Sequence, residues 1–423
     1  MGSMQRPRSE VWNAIRRMAS LSSISVIAML SPFMLLPVVA RTSSIDEWSA
    51  FVVGQSIGSM GGSAILYSWG FSGPTLAARM RGVRLVELYN DSLVGRLVIS
   101  VVSCSCAGLA AALLVPQDAG IAILVAVAIA VNAGLTPSWY FIGMNRPRGL
   151  VAYETLPTIA VTAVSASLLV LGAPLWVYPL LLMSVRLVSV SWLAVLLNRG
   201  HGFGAFSVSR AMRLHRTEKG LAASQILASA YASGPVTIVA AITSPAVVAR
   251  FSSADKMYRP ATMVLGASVN ALQSWVSEHG NGKDRRRLHL ALMLTGLLGI
   301  IGGLGIAVLG VPASRLIFGP DLATTPGVAI AFAVAFVAVA ANSASGRLIL
   351  IPAGDSRAVL LSTCAGAIVG LPLMIACGVT FGATGVAWAF AASEIVVAAV
   401  QLLPAQRTLN RMDVSAISSS TAS

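Results

Sequence analysis

The stretch LVGRLVISVVSCSCAGLAAALLVPQDAGIAILVAVAIAVNAGLTPSWYFIGMNRPR, residues 93–148, decides how this chain is read. It holds two apolar runs, about 93–115 and 119–142, and a hydrocarbon core roughly 30 Å thick is crossed by about 20 apolar residues in a helix. The turn between them, 116–118, carries no base, whereas the far end closes on Arg146 and Arg148. A hairpin of two membrane helices with its positive charge on one side is the direct reading.

The same alternation continues in both directions. Apolar runs fall at 21–40, 48–69, 93–115, 119–142, 150–171, 174–197, 220–243, 248–276, 288–310, 325–350, 358–379 and 382–403. Every second gap is basic: Arg6, Arg8, Arg16 and Arg17, then Arg79, Arg81 and Arg84, then Arg146 and Arg148, then Arg199 to Lys219, Lys283 to Arg287, Arg357, and Arg407 with Arg411. The opposite gaps offer Arg41, Arg250 and Arg315. Short basic loops stay in the cytoplasm. The expected fold is therefore an all-α polytopic membrane protein with twelve transmembrane helices and both termini inside.

The net charge of +14 and pI near 10.6 belong to those loops. No compact basic domain remains to hold a duplex, so a nucleic-acid partner is not expected. Cys104, Cys106, Cys364 and Cys377 all lie inside apolar runs and read as small packing residues rather than a disulfide framework. The first apolar run follows Arg16 and Arg17 as a signal peptide would, but it is about twice the length of a signal's apolar region and reads as a permanent span.

The external gaps are short, leaving no room for a catalytic or receptor domain. The long internal gap at 198–219, with Gly200, Gly202 and Gly204 followed by bases, has the composition of a flexible linker. It divides the chain into an N-lobe (1–197), the linker (198–219), a C-lobe (220–403) and a cytoplasmic tail (404–423). The two halves carry a faint repeat. Gly143-Met144-Asn145-Arg146 answers Gly354-Asp355-Ser356-Arg357 at a separation of 211, and Gly172-Ala173 answers Gly382-Ala383 at 210. Six is even, so both six-helix lobes begin on the same side and form a parallel repeat.

Charges inside the spans are selective, because an ionised residue at the bilayer centre costs roughly 3 kcal/mol on insertion scales. Arg186 lies deep in span 6 and Glu394 at a similar depth in span 12. Asp255, Lys256 and Arg259 share one side of span 8 by their spacing. Arg96, Glu154 and Arg347 lie nearer the inner ends, where neutralised packing or snorkelling is the expected role. A carrier of an anionic head group needs fixed cations along its path, and Arg supplies planar donors to phosphate. Arg186, Lys256, Arg259 and Arg347 are the candidate substrate-binding residues. Glu394 and Asp255 are the candidates for binding a coupling proton or sodium ion.

Soluble chemistry is nearly absent. There is no GxxxxGK[ST] loop for ATP. His201, His215, His279 and His289 fall in or beside internal loops without ligand spacing, and read as solvated; no metal or other cofactor is expected. Trp48, Trp69, Trp139, Tyr140, Trp176 and Tyr178 lie near span ends, where interfacial anchoring is expected.

Asp46-Glu47-Trp48-Ser49-Ala50-Phe51 with Gly54 opens span 2 with an acidic and aromatic cluster, and Trp139 to Gly143, Phe251 to Lys256, Phe318-Gly319, and Gly382 to Gly385 with Ser393-Glu394 follow along most of the chain. In order and placement these segments resemble the bacterial polysaccharide flippases of the multidrug, oligosaccharidyl-lipid and polysaccharide (MOP) exporter superfamily. Phe251 stands where Tyr is usual in the family. The resemblance implies a substrate of undecaprenyl-pyrophosphate-linked oligosaccharide, turned from the inner to the outer leaflet of a bacterial cytoplasmic membrane by alternating access. A polysaccharide polymerase is the expected partner, and coupling to H+ or Na+ is expected from the acids among the buried cations. Only Asp255 and Lys256 match a family motif at charged positions.

Three rivals stand beside this reading. A multidrug antiporter of the same superfamily would favour an acid-dominated cavity, and here bases outnumber acids. A facilitator-superfamily sugar carrier would show a GxxxDRxGRR-like loop after span 2, absent from 70–92. A membrane polysaccharide polymerase would display a large external loop, so an enzyme is not expected.

Overall fold

A computed structural model of the chain describes residues 33–199, 208–277 and 285–420. The expectations on Arg6, Arg8, Arg16, Arg17, His201, His279, Lys283 and the first part of span 1 lie outside these. Every regular element among the described residues is helical. In chain order they are α1 (Phe33–Thr42), α2 (Ile45–Leu66), α3 (Ser72–Arg79), α4 (Val83–Leu114), α5 (Ala119–Gly134), α6 (Ser138–Gly143), α7 (Pro147–Leu150) and the π-helical segment π1 (Val151–Thr155). There follow α8 (Leu156–Val170), α9 (Val177–Asn198), α10 (Val208–Thr217), α11 (Lys219–Ile242), α12 (Pro245–Ser277), α13 (Arg285–Phe318), α14 (Pro326–Ser343), π2 (Ala344–Leu350) and α15 (Ser356–Ser420). Gly382, at φ +61°, breaks α15 into two helices.

Eight of the described helical stretches are long and apolar enough to cross a membrane, which makes this a multi-pass membrane protein. Helix α2, at 22 residues, and α12, at 33, have the length of a crossing but are not among the eight. The chain forms two compact units, Met1–Ser233 and Gly234–Ser423, whose boundary falls inside α11.

Local chemistry starts and stops these helices. Ser44 accepts the Glu47 N–H at 3.1 Å and Glu47 Oε2 accepts the Ser44 N–H at 2.9 Å, closing a capping box. Asp46 and Glu47 thus also complement the positive helix end. Without a lipid-phase hydrophobic drive, membrane helices associate by close packing of small residues. Helix α2 shows this directly: a Cβ on Gly54 would sit 2.7 Å from the Ala122 carbonyl oxygen, and one on Gly58 would sit 2.6 Å from that of Ala126. Only glycine permits α2 to lie so close against α5.

Two pairs of turns share a backbone form. Asn145 (φ +52°) and Gly354 (φ +81°) occupy left-handed positions. In each case the following N–H, of Arg146 or Asp355, donates to a carbonyl five residues back, Phe141 or Leu350, at 2.9 Å. The residue that shares the backbone form of Gly354 is therefore Asn145, 209 residues away, not Gly143 as the letters suggest. Gly172 (φ +89°) and Gly382 keep the spacing of 210.

Two expectations are corrected. Trp48, Trp69, Trp139, Tyr140 and Tyr178 are buried core residues rather than interfacial anchors, and of the six only Trp176 is exposed. Trp69, Trp139, Tyr89 and Tyr140 pack ring against ring at centroid separations of 4.8–6.2 Å, Tyr89 stacked on Trp139 and the others tilted or edge-on. Ring pairs of this kind contribute about 0.5–1.5 kcal/mol each beyond the area they bury. The second correction concerns the linker, which contains the amphipathic helix α10. Its Arg210 Nε donates to Asp91 Oδ2 of α4 at 2.6 Å, and its His215 is buried rather than solvated.

Candidate functional site

In the first unit the site is built around Arg186 on α9. Its Nη1 and Nη2 donate to Glu154 Oε2 and Oε1, both at 2.9 Å, and its Nε donates to Asn132 Oδ1 at 3.0 Å. The Arg186 side chain is 3% exposed. A forked, bidentate pair of this kind is the strong form of the interaction. It neutralises Arg186 within its own lobe.

The position of Glu154 follows from the sequence around it. Pro157 has no N–H to return to the carbonyl four residues back, which belongs to Tyr153. That carbonyl instead accepts the Ser189 hydroxyl of α9 at 2.7 Å. The helix widens over π1, a distortion often found at functional positions, and carries Glu154 to Arg186. The network continues: Thr136 Oγ1 donates to Glu154 Oε2 at 2.6 Å, and the Thr136 carbonyl accepts Arg96 Nη1 at 2.8 Å. Arg96 is wholly buried, also bonded to the Gly134 and Ser92 carbonyls, and its Nη2 is left without a hydrogen bond.

In the second unit Asp255 and Arg259 form an ion pair along α12, Nε to Oδ2 at 2.7 Å. Lys256, between them in sequence, is 8% exposed and makes no hydrogen bond or ion pair among the described residues. It stands one turn before Pro260, which leaves the Lys256 carbonyl without its helical donor. Arg347, on π2, donates to the Gly266 carbonyl at 3.3 Å and to Asn270 Oδ1 at 3.0 Å, so it ties π2 to α12. Glu394 Oε2 accepts Asn342 Nδ2 at 2.9 Å. Tyr258, Phe332 and Phe390 pack together beside them, at 5.0–5.9 Å between centroids.

The structure thus joins Arg186 to Glu154 and Arg259 to Asp255, and it gives Arg347 and Glu394 the amide partners Asn270 and Asn342. Reasoning along the sequence treated Arg186 as a ligand for substrate and Glu154 as a packing residue. They are one pair. Asn132 and Thr136 were missed, since an amide and a hydroxyl in an apolar run carry little signal. No group of three metal-ligating side chains occurs among the described residues.

No family model and no curated protein sequence matches the chain. Solved structures do. The lipid II flippase MurJ in its inward closed conformation aligns over 91% of this chain and 87% of its own, with a TM-score of 0.68 at 13% identity. An inward-facing multidrug resistance MATE family transporter of the MOP superfamily covers 94% of this chain and 99% of its own, at 0.62 and 13%. The MATE multidrug transporter DinF-BH, in complex with R6G, covers 93% and 95%, at 0.55 and 17%. The chain shares the fold of these flippase and multidrug transporter structures over nearly its whole length.

Proposed function

We propose that the chain is a flippase that moves an undecaprenyl-pyrophosphate-linked oligosaccharide from the inner to the outer leaflet of the bacterial cytoplasmic membrane. It has twelve spans, termini inside, an N-lobe (1–197), a linker (198–219), a C-lobe (220–403) and a tail (404–423). The observation that carries this reading is Lys256. A buried ammonium without an acceptor is expensive, and its neighbour Asp255 already holds Arg259. Such a cation is suited to a phosphate that must shed water as it enters the protein.

In this reading Lys256 receives the pyrophosphate first. Arg186, Arg259 and Arg347 become ligands only when their present partners yield, so substrate competes with Glu154, Asp255 and Asn270 for the same donors. A proton or sodium ion on Asp255 or Glu394 would tilt that competition, which couples flipping to an ion gradient. The polymer-building partner downstream is a polysaccharide polymerase. No covalent chemistry is asked of the chain.

The test is deletion of the gene with analysis of lipid-linked sugars. Accumulation of the undecaprenyl-linked unit on the cytoplasmic leaflet is expected, restored by the wild type and by Lys256→Arg but not by Lys256→Gln. Unchanged lipid-linked sugars with hypersensitivity to cationic drugs would instead make it a multidrug antiporter.

A further inference from the structure

The turn between α6 and π1 and the last third of α9 enclose a cavity of about 630 Å³, lined among others by Tyr140, Phe141, Arg146, Arg148, Tyr153 and Leu197. Two residues shape it. Asn145 turns the chain through its left-handed backbone. Gly149 lacks the Cβ that would strike the Phe141 ring. Phe141 can then stack on Tyr153, 5.4 Å between centroids and 19° from parallel, as one wall of the cavity.

Its charge is unspent. Arg146 and Arg148 are exposed, and neither guanidinium has a hydrogen bond or ion pair among the described residues. A third guanidinium, Arg199, lies 5.9 Å over the Trp192 ring at the same end of α9. Beyond Tyr153 a second hollow of about 300 Å³ opens between π1, α8 and α9, lined by Pro157, Val185, Val188 and Trp192. Val188 and Trp192 are 68% and 54% exposed, so this slot faces outward along the helices.

A cationic mouth joined through one tyrosine to an apolar slot matches an amphiphile with an anionic head. We propose that this is a binding site for an anionic phospholipid, its phosphate held at Arg146 and Arg148 and one acyl chain laid in the slot against Val188 and Trp192. Basic pockets between membrane helices recognise anionic head groups in this way. A free phosphate would use the mouth alone and leave the slot without a purpose. The lipid serves as a fixed ligand of the first unit, whatever the chain transports, so the site stands or falls apart from the transport reading.

The test is native mass spectrometry of the full-length protein in detergent, with phosphatidylglycerol and phosphatidylcholine as probes. The wild type is expected to retain phosphatidylglycerol about tenfold over phosphatidylcholine, a ratio within reach of two guanidinium contacts near a membrane surface. Arg146→Gln with Arg148→Gln should bring the ratio to parity without shifting the lipid-free unfolding midpoint. Trp192→Ala should lower retention of both lipids. Equal retention by the wild type, an undiminished preference in the double variant, or undiminished retention by Trp192→Ala would overturn the proposal. So would full displacement of phosphatidylglycerol by millimolar inorganic phosphate, or by equimolar undecaprenyl phosphate, which would make the site one for the free anion or for the carrier lipid.

Discussion

Arg186 and Glu154 lie 32 positions apart in the chain and share two hydrogen bonds. Removing one member strands the other in a medium that cannot hydrate it, and breaking a buried pair costs on the order of 3 kcal/mol. Glu154→Gln is expected to lower the unfolding temperature in detergent more than Arg186→Gln with Glu154→Gln together, since the double change removes both charges. A smaller loss for the single variant than for the double would disprove the pairing account. Arg186→Lys keeps the charge but not the fork, and should recover only part of the stability. Lys256 is the opposite case, a cation with no such partner, and its removal should spare stability while abolishing flipping.

At the scale of elements, helix α10 gives a pH dependence whose sign follows from hydrogen-bond direction. His215 Nε2 accepts the Trp69 indole N–H at 3.0 Å, so its Nδ1 carries the proton facing the Ala211 carbonyl at 2.8 Å. Tyr67 packs on the same ring. Burial pushes the His215 pKa below the ordinary histidine value, the Ala211 carbonyl opposes it, Arg96 lowers it further and Asp91 raises it. The neutral ring therefore belongs to the docked state. Docking is at full strength above the ordinary pKa of about 6.5 and is lost as pH falls through the lower docked value. Protection of the amides over 208–217, taken relative to the intrinsic exchange rate at each pH, should fall between pH 8 and pH 5 in the wild type, and should lose that dependence in His215→Leu. The Arg210–Asp91 contact, which raises the Arg210 pKa through the hydrogen bond, persists over this range and limits the release to the far end of the helix.

Gly95 tests the same contact from the other side. A Cβ there would strike the His215 imidazole, so Gly95→Val should undock α10 at every pH, read as fast exchange already at pH 8. In α2, Gly58→Ala places a methyl 2.6 Å from the Ala126 carbonyl oxygen. Overpacking of this kind costs about 1–3 kcal/mol. The expected result is a lower unfolding temperature, with Gly120→Ala, which meets open space, as the unaffected comparison.

For the whole molecule the orientation is the property to check. In a background with Cys104, Cys106, Cys364 and Cys377 replaced by Ala, Asn145→Cys should react with an impermeant maleimide only after the membrane is opened. Gln117→Cys should react in intact cells. Reversal of the two patterns would invert the topology and move the basic loops outside.

The letters alone determined that this is a helical membrane chain, where its apolar runs lie and which loops carry the charge. Those properties depend on transfer of side chains to hydrocarbon and on neighbours within one helix, and both are local. The capping box at Ser44 and Glu47 and the interrupting prolines are legible for the same reason. Only the tertiary structure decided which buried charges meet. Whether Arg186 is an open ligand or half of a pair depends on a carboxylate one helix away, brought round by a π-helical turn. Likewise the burial of Trp69 and His215 depends on α10 folding back onto α4, since interfacial and core aromatics look alike until a neighbour covers them.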